Sequence, residues 1–286
     1  MNVIILCKSW NVVKVAEIAQ ALMQHHLTIA AIVAMSRPAA AFSIKHVIQR
    51  AHELGFASTW MKLRNRLLPV AQKSNGRYKP VKHTPSPIGH TRENGKKSNE
   101  SLKMFCQKHC IAYYEVDNLN SETSEAILRK HSPDLIVLGG TPIIRSNILA
   151  IPKLGTLNVH MGLLPKFRGR NVAEWSVYLD EPVGITVHLV DPGVDTGAIV
   201  YRETVDVSDC PDIEAMRRKL RSIQHQALGK AARLFVDGKL TPIPQTREQG
   251  RQYYEMHERL KRVVNEKLKQ GYRPPSRRKA RLSVAQ

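Results

Sequence analysis

Residues 154 to 201 read LGTLNVHMGLLPKFRGRNVAEWSVYLDEPVGITVHLVDPGVDTGAIVY. An apolar run ends in Asn158 and His160 before a Leu-Leu-Pro turn, and a second apolar run leads to Asp195, which has a glycine nearby on each side. An amide can hold a developing oxyanion, an imidazole can move protons, and a carboxylate can orient the imidazole or a water. These three residue types together indicate acyl-transfer chemistry.

The spacing of these residues strengthens that interpretation. Asn158 and His160 are two positions apart on a predicted strand, so their side chains project to the same side. The Leu-Leu-Pro turn ends the strand just beyond them. The glycines around Asp195 let the backbone approach a ligand closely. His188 lies inside the alternating run 185–190 and is interpreted as an ordinary strand residue.

The N-terminal part of the chain predicts a parallel βαβ unit. Residues 3–7 and 27–33 are apolar runs typical of buried strands, and residues 12–24 between them carry apolar side chains at helical spacing. No glycine-rich loop follows the first run, so a phosphate-binding turn is not favoured over a plain connection. Residues 133–138 predict another buried strand, which ends in two glycines at the edge where open α/β sheets bind ligands.

The rest of the chain predicts more helices, two short strands and two basic polar segments. We expect helices over 44–70, 102–110, 121–131, 209–235 and 252–269, and strands over 112–116 and 201–207. Residues 73–99 are rich in Pro, Gly and basic side chains, which indicates a flexible surface insertion. Residues 273–286 carry five basic side chains and no acid, which predicts a disordered basic tail.

Composition separates this chain from several protein classes. Its 286 residues contain 44 Lys and Arg against 24 Asp and Glu, a formal net charge of +20. A basic surface attracts nucleic acid, anionic lipid or phosphorylated small molecules without choosing among them. The four cysteines, which have no zinc-finger spacing, predict reduced thiols rather than a disulfide framework or a metal site. Because no apolar run is long enough for a signal peptide or a membrane span, we expect a cytoplasmic protein.

The ordered pattern Gly-x-Leu-Asn-x-His-x-x-Leu-Leu-Pro-x-aromatic-Arg-Gly, then Gly-Ile-Thr-Val-His, then Gly-Val-Asp-Thr-Gly resembles the folate-dependent formyltransferase family. That family includes methionyl-tRNA, glycinamide ribonucleotide and sugar N-formyltransferases. The resemblance covers residues 133–207 and, more loosely, the first strand and helix. It implies a Rossmann-like α/β domain with a mostly parallel sheet flanked by helices, which transfers a formyl group from 10-formyltetrahydrofolate without a metal.

The resemblance also assigns roles to the residues that match the family pattern. Asn158 would donate to the formyl oxygen in the tetrahedral intermediate, and His160 would stabilise that intermediate and pass a proton to the folate nitrogen. Asp195 would orient His160 and a water. The residues that match the folate pocket are Gly139, Gly140, Thr141, Pro142, Ile143, Ile144, Leu149, Asp191, Pro192, Gly193 and Val194. Lys166 and Arg168, just past the turn, are the expected contacts for a substrate diphosphate, with a structural role as the alternative.

Departures from the family pattern bear on the substrate and on domain organisation. The family's usual Ser before Leu-Leu-Pro is Gly162, and the glycine-rich phosphate loop of glycinamide ribonucleotide enzymes is absent. The resemblance implies a catalytic domain over residues 1–207, interrupted by the insertion at 73–99. Residues 208–286 read as a helical, basic C-terminal extension, unlike the β-barrel domain of tRNA formyltransferases.

These features favour a formyltransferase that acts on a small phosphorylated amine, foremost an amino sugar nucleotide. Three alternatives remain at this point. A methionyl-tRNA formyltransferase-like enzyme would use the basic tail as a nucleic-acid contact, a formyltetrahydrofolate hydrolase would use water as acceptor, and a silent binding module would not need the intact catalytic residues. The resemblance further implies a homodimer formed through C-terminal segments.

Overall fold

The computed structural model describes residues 1–37 and 101–275, together with the backbone of residues 72–74 and 77–79. The chain divides into two compact units, Met1–Arg37 with Glu100–Gln286 and Pro38–Asn99. The predicted helix at 44–70, most of the insertion 73–99 and most of the expected disordered tail lie outside the described residues. The described part of the insertion, 73–74 and 77–79, belongs to two short paired strands. Those expectations remain predictions from sequence.

The strands, in chain order, are β1 (Asn2–Lys8), β2 (Thr28–Met35), β3 (Gln72–Ser74), β4 (Arg77–Lys79), β5 (Ala112–Val116), β6 (Leu135–Gly139), β7 (Thr156–His160), β8 (Phe167–Gly169), β9 (Gly184–Leu189), β10 (Ile199–Thr204) and β11 (Arg251–Tyr253). The helices are α1 (Val12–Gln24), α2 (Leu102–Lys108), α3 (Glu122–His131), α4 (Ser146–Leu149), α5 (Val172–Tyr178), α6 (Ile213–Val236) and α7 (Glu258–Lys269). A short 3₁₀ helix spans Arg247–Gln249.

A seven-stranded sheet in the order β10-β9-β7-β6-β1-β2-β5 forms the centre of the first unit. β1, β2, β5, β6 and β7 run parallel, whereas β9 and β10 run antiparallel at one edge. In the sheet, β2 and then β5 lie on one side of β1, and β6 and then β7 lie on its other side. The mostly parallel α/β fold expected from the sequence is thus confirmed, with its topological switch point between β1 and β6.

The alternation of β1 explains how the sheet is covered on both faces. Val3, Ile5 and Cys7 pack on one face with apolar side chains of α1, α2 and α6, whereas Ile4 and Leu6 pack on the other with residues of α3 and α4. All five are fully buried. A parallel strand covered on both faces reads as a continuous apolar run, which is why this strand was visible in the sequence.

The C-terminal part packs against the sheet rather than forming an isolated extension. Leu228 and Ala231 of α6 belong to the same apolar cluster as α1 and β1, and a third cluster joins α5, the N-terminal half of α6, and α7. α6 begins four residues later than the sequence predicted, because the Asp212 carboxylate accepts a hydrogen bond from the Ala215 N–H at 2.7 Å and caps the helix there.

The helix predicted over 252–269 is wrong at its start. Residues 251–253 form β11, which pairs in parallel with β8, and the helix begins only at Glu258 after a cap by His257. The ring of Tyr253 stacks on Phe167 with centroids 5.3 Å apart. This tertiary pairing overrides the helical spacing that continued upstream in the sequence. Within residues 1–37 and 101–275, no helix is both long and apolar enough to cross a membrane.

Candidate active site

Asn158 and His160 of β7 project from one face of the sheet, next to the antiparallel strand β9. The register of the two strands sets Asn158 directly opposite His188 and His160 opposite Thr186. Cross-strand partners share a face, so the side chain of His188 joins those of Asn158 and His160. The alternation predicted from sequence is confirmed, and the pairing adds a second imidazole to the same face.

The loop between β9 and β10 carries Asp195 onto this face. The Asp191 carboxylate folds the loop by accepting hydrogen bonds from the Gly193 N–H at 3.0 Å and the Thr196 hydroxyl at 2.6 Å. Asp195 has a left-handed backbone conformation, with φ of 52°. A Cβ at Gly197 would lie 1.9 Å from the Leu189 carbonyl oxygen. That glycine therefore serves close packing of the loop, where the sequence suggested close approach to a ligand.

The Asp195 carboxylate lies between the two imidazoles. Its Oδ2 is 3.4 Å from His160 Nδ1, and its Oδ1 is 3.6 Å from His188 Nε2. Asn158 Nδ2 is 3.3 Å from the same His188 nitrogen. The side chains that the sequence singled out are thus brought together, with His188 as a fourth member. His160 and His188 are 7% and 2% exposed, so the cluster is largely shielded from water.

Hydrogen-bond partners indicate which ring nitrogens carry protons. His188 Nδ1 lies 2.7 Å from the Leu189 carbonyl, which can only accept, so Nδ1 carries the proton and Nε2 accepts from the Asn158 amide. Burial, followed by the neighbouring His160, lowers the pKa of His188 to about 4, although Asp195 acts in the opposite direction. His188 is therefore a neutral imidazole that orients the Asn158 amide.

His160 is held differently. Its Nε2 lies 2.8 Å from the Phe167 carbonyl oxygen and must donate to it. Its Nδ1 faces Asp195 Oδ2 at 3.4 Å. The Gly169 N–H donates to Asp195 Oδ2 at 2.9 Å, so the backbone of β8 anchors both members of this pair.

Sequence reasoning missed His188 as a member of the site. In the run Ile-Thr-Val-His-Leu it has the period of an ordinary strand residue, and its partner Asn158 is 30 positions away. The sequence did contain one indication: His188 is a titratable side chain inside a predicted buried strand, where such a group needs a specific partner.

The two residues proposed for a substrate diphosphate have different surroundings. Lys166 is 48% exposed and its Nζ lies 2.6 Å from Glu181 Oε1. Arg168 is only 4% exposed, and its guanidinium donates to the carbonyls of Thr246 and Arg247 and to the Gln245 side chain. Because both terminal nitrogens of Arg168 donate inside the protein and the side chain is buried, these contacts favour the structural role that was the alternative for Arg168.

The residues that match a folate pocket occupy two segments, here called the first and second loop, although Gly139 ends β6 and Leu149 ends α4. Gly140 follows Gly139, and the Asn11 amide donates to both of their carbonyls. The side chains of Ile143 and Val194 are 80% and 43% exposed. The remaining members of the first loop are Thr141 and Pro142, which are half-buried, and Ile144 and Leu149. The remaining members of the second loop are Asp191, Pro192 and Gly193.

Two of these residues, Ile144 and Leu149, pack in the core. Ile144 is 4% exposed and packs with Ile148 and Leu128 in the apolar cluster under α3 and α4. Leu149 packs against the same cluster. Their apolar character is therefore explained by the core, whereas Ile143 and Val194 remain apolar surface that a ligand could cover.

The sequence of this chain is similar to that of known formyltransferases. The family model described as formyl transferase matches residues 79–232. The methionyl-tRNA formyltransferase of Cyanothece sp. is 32% identical over 154 residues, 53% of this chain and 46% of that protein. The same enzyme of Methylacidiphilum infernorum is 30% identical over 177 residues, 61% of this chain and 50% of that protein. The chain spans about half the length of these relatives.

Solved structures show a similar fold at low identity. The crystal structure of phosphoribosylglycinamide formyltransferase from Anaplasma phagocytophilum has a TM-score of 0.53 at 16% identity and covers 87% of this chain and 92% of its own. That of a formyltetrahydrofolate deformylase from Pseudomonas syringae has a TM-score of 0.52 at 16% identity and covers 87% of this chain and 64% of its own. At these identities the likeness concerns the fold alone.

Proposed function

The chain belongs to the formyl transferase family, and from this membership we propose that it transfers a formyl group from 10-formyltetrahydrofolate to the primary amine of a small phosphorylated substrate, foremost an amino sugar nucleotide. The cluster of Asn158, His160, His188 and Asp195 carries the proposal. It combines an oriented amide donor, a held imidazole and a shielded carboxylate, which are the groups that acyl transfer to an amine requires.

The surroundings of the cluster fit a folate donor in two respects. Ile143 and Val194 present exposed apolar side chains, and the backbone of residues 191–194 offers hydrogen-bonding groups. A flat heteroaromatic ring needs both kinds of contact. In the reaction the donor supplies the formyl carbon, which gains a bond to the amine nitrogen and loses its bond to N10 while one proton passes from the amine to N10.

The geometry assigns a task to each side chain. Asn158 Nδ2 bears two hydrogens, of which one points to His188; within the described residues no acceptor takes the other, so it can donate to a carbonyl oxygen as charge develops there. His160 lies beside this position in the shielded cluster, where electrostatic stabilisation of the developing charge is stronger than in water. Asp195 accepts the amine proton, and the neighbouring His160 passes a proton to N10, so that one proton moves from the amine to N10 overall.

A group of cations near the topological switch point supports a phosphorylated substrate. Lys8 and Arg37 lie over the ring of Trp10, with Nζ 5.8 Å and Cζ 5.6 Å from its centroid. Burial and then the charge of Lys8 lower the pKa of Lys14. No described acid lies within ion-pair distance of these cations. A phosphate placed among them would offset their repulsion.

A charged tRNA is the second candidate acceptor. The methionyl-tRNA formyltransferases are 29–32% identical to this chain over the matched parts, and the net charge of +20 suits a nucleic acid. The chain spans about half of each relative, and its charge suits a small phosphorylated acceptor as well. We therefore keep tRNA as an alternative that the experiment below tests directly.

Release of tetrahydrofolate from 10-formyltetrahydrofolate is the decisive measurement. We expect release with an amino sugar nucleotide and none with buffer or with charged initiator tRNA. Release only with tRNA would replace the proposed acceptor, release in buffer alone would identify a hydrolase, and no release under any condition would refute the proposed transfer. His160→Ala and Asp195→Asn serve as matched controls: both should keep the far-ultraviolet spectrum and lose at least about 100-fold in turnover.

A further inference from the structure

The segment 245–253, here called the C-terminal clamp, runs along the candidate site although it contributes no side chain to the catalytic cluster. It consists of Gln245, Thr246, the 3₁₀ helix, Gly250 and β11. Its contacts reach both the loop that carries Asp195 and the strand β8 that anchors His160. Those contacts raise the question of whether the clamp only stabilises the fold or sets the geometry of the site.

Gln245 joins the two parts. Its Nε2 donates to the Asp195 carbonyl at 3.2 Å and also to the Gly197 carbonyl. Its Oε1 accepts from Arg168 Nη2 at 3.2 Å. One amide therefore ties the backbone at Asp195, which has a left-handed conformation, to the side chain of a β8 residue.

Arg168 fixes the position of Gln245. It is almost completely buried, and in addition to Gln245 it donates to the Thr246 carbonyl at 2.6 Å and the Arg247 carbonyl at 3.3 Å. A buried guanidinium is tolerated only when acceptors surround it, and breaking such an arrangement is costly. The three acceptors on the clamp take up both terminal nitrogens, whereas the buried Nε has no partner among the described residues, so a shift of the clamp would leave more of the guanidinium unpaired.

β8 transmits this position to the reacting groups. β11 pairs with β8, with the Arg251 N–H donating to the Lys166 carbonyl at 3.1 Å. From β8, the Phe167 carbonyl accepts from His160 and the Gly169 N–H donates to the Asp195 carboxylate. Gln245 therefore bonds the Asp195 backbone, and β8 bonds its carboxylate. Arg168, a residue of β8, bonds Gln245 and so connects the two contacts.

We propose that Gln245 is a positioning residue for Asp195, acting through its two N–H donors and fixed in place by Arg168. The inference rests on the proposed function, because it takes the Asp195–His160 pair as the reacting pair. A misplacement of about 1 Å at a reacting group can cost about 100-fold in rate. A loss of the Gln245 N–H donors should therefore reduce turnover without removing any group that touches the substrate.

Two substitutions separate positioning from stability. Gln245→Glu keeps an acceptor for Arg168 but removes both N–H donors, whereas Gln245→Met keeps the shape and removes donors and acceptor alike. We expect both variants to lose about 10- to 100-fold in kcat with KM for the amine within about twofold of wild type. Gln245→Met leaves the buried Arg168 without that partner, whereas Gln245→Glu keeps it as an ion pair and sets a carboxylate oxygen against the Asp195 and Gly197 carbonyls, so both unfolding temperatures are measured and kcat is compared with them.

Gln252→Glu is the matched control. Gln252 lies in the same segment, is exposed, and is paired with Arg168 only through the backbone register of β8 and β11. The substitution introduces the same charge change as Gln245→Glu at a similar place in the chain. We expect its kcat, KM and unfolding temperature to equal those of wild type.

Hydrogen exchange of the Gly169 amide supplies a readout that does not depend on activity. Its N–H is bonded to Asp195 Oδ2, so exchange should accelerate by at least about tenfold in Gln245→Glu if the loop shifts, and should stay unchanged in Gln252→Glu. Wild-type kcat and unchanged Gly169 exchange in both Gln245 variants would overturn the inference. If wild type transfers no formyl group, the exchange measurement still decides whether Gln245 positions Asp195.

Discussion

One carboxylate faces two imidazoles at Asp195, and the two rings differ in the protons they hold. His160 donates through Nε2 to the Phe167 carbonyl and places Nδ1 3.4 Å from Asp195, whereas His188 donates through Nδ1 and accepts from Asn158 at Nε2. Burial, followed by the neighbouring His160, lowers the pKa of His188, so this ring stays neutral and remains an acceptor for Asn158.

The neutrality of His188 predicts a pH dependence of stability. Its pKa is about 4 in the folded protein and about 6.5 in an unfolded chain, so between these values the unfolded chain takes up a proton that the folded protein does not. The free energy of unfolding should then fall as the pH falls from about 6.5 towards 4, at up to about 1.4 kcal/mol per pH unit from this residue. Thermal unfolding measured from pH 7.5 to 4.5 checks it.

His188→Gln is the comparison for that measurement, because a neutral amide cannot titrate in this range. All other groups are shared, so the difference between the two pH curves isolates His188. The wild-type protein should lose more stability than the variant on acidification. Parallel curves would show that His188 does not bind its proton in the way its burial indicates.

Single residues of the site were predictable where local pattern was enough. Asn158 and His160 stand at alternate positions before a turn, and Asp195 has glycines on both sides, so their residue types and spacing predicted a shared site. His188 was interpreted as an ordinary strand residue, and the buried contacts of Arg168 were not foreseen. Their partners lie 30 and 77 or more positions away in sequence, and only the β7–β9 register and the docking of the C-terminal clamp bring them together.

Among the helices and strands, the sequence predicted those that bury an apolar face, because the burial fixes the spacing of their apolar residues. β1, α1, β2 and β6 lie within two residues of where the apolar runs predicted them. The helix predicted to start at residue 252 was wrong because a tertiary contact, not local spacing, decides the structure there. There the spacing suits a helix, but the stacking of Tyr253 on Phe167 and the pairing with β8 impose a strand. Such a contact leaves no local trace in the sequence.

The packing of α6 on α1 predicts a further effect at this scale. Gly229 of α6 faces α1, and a Cβ there would lie 2.6 Å from the Ala21 carbonyl oxygen and 2.9 Å from His25 Cδ2. Gly229→Ala would gain about 1 kcal/mol in helix propensity. Forcing the two helices apart costs about 1–3 kcal/mol, so we expect a net loss and an unfolding temperature lower by a few degrees.

Ser222→Ala on the same helix is the control for Gly229. Ser222 is exposed, and its hydroxyl bonds only the Lys219 carbonyl within α6, so replacing it should leave the unfolding temperature equal or slightly higher. Calorimetry of the two variants beside wild type measures both effects. A Gly229→Ala protein as stable as wild type would mean that α1 and α6 can separate without loss.

At the scale of the whole molecule, the net charge does not choose between the two candidate acceptors. The formal net charge of +20 suits a nucleic acid and a small phosphorylated molecule alike. A basic surface increases the local concentration of small anions as well as of nucleic acids. The sign of the charge therefore cannot choose between them, but the response of binding to salt can.

The dependence of KM on ionic strength distinguishes the two acceptors. A nucleic acid that engages six or more phosphates releases condensed counterions and loses about 1,000-fold or more in affinity between 50 and 200 mM salt. A sugar nucleotide carries only a diphosphate, so the proposed reaction predicts a rise in KM of less than about tenfold over that range. Steady-state rates at four salt concentrations, with kcat followed separately, measure this. A rise in KM of less than about tenfold would support a basic surface that attracts a small anion. A rise in KM of several hundredfold with a sugar nucleotide would contradict the phosphate contact proposed near Trp10.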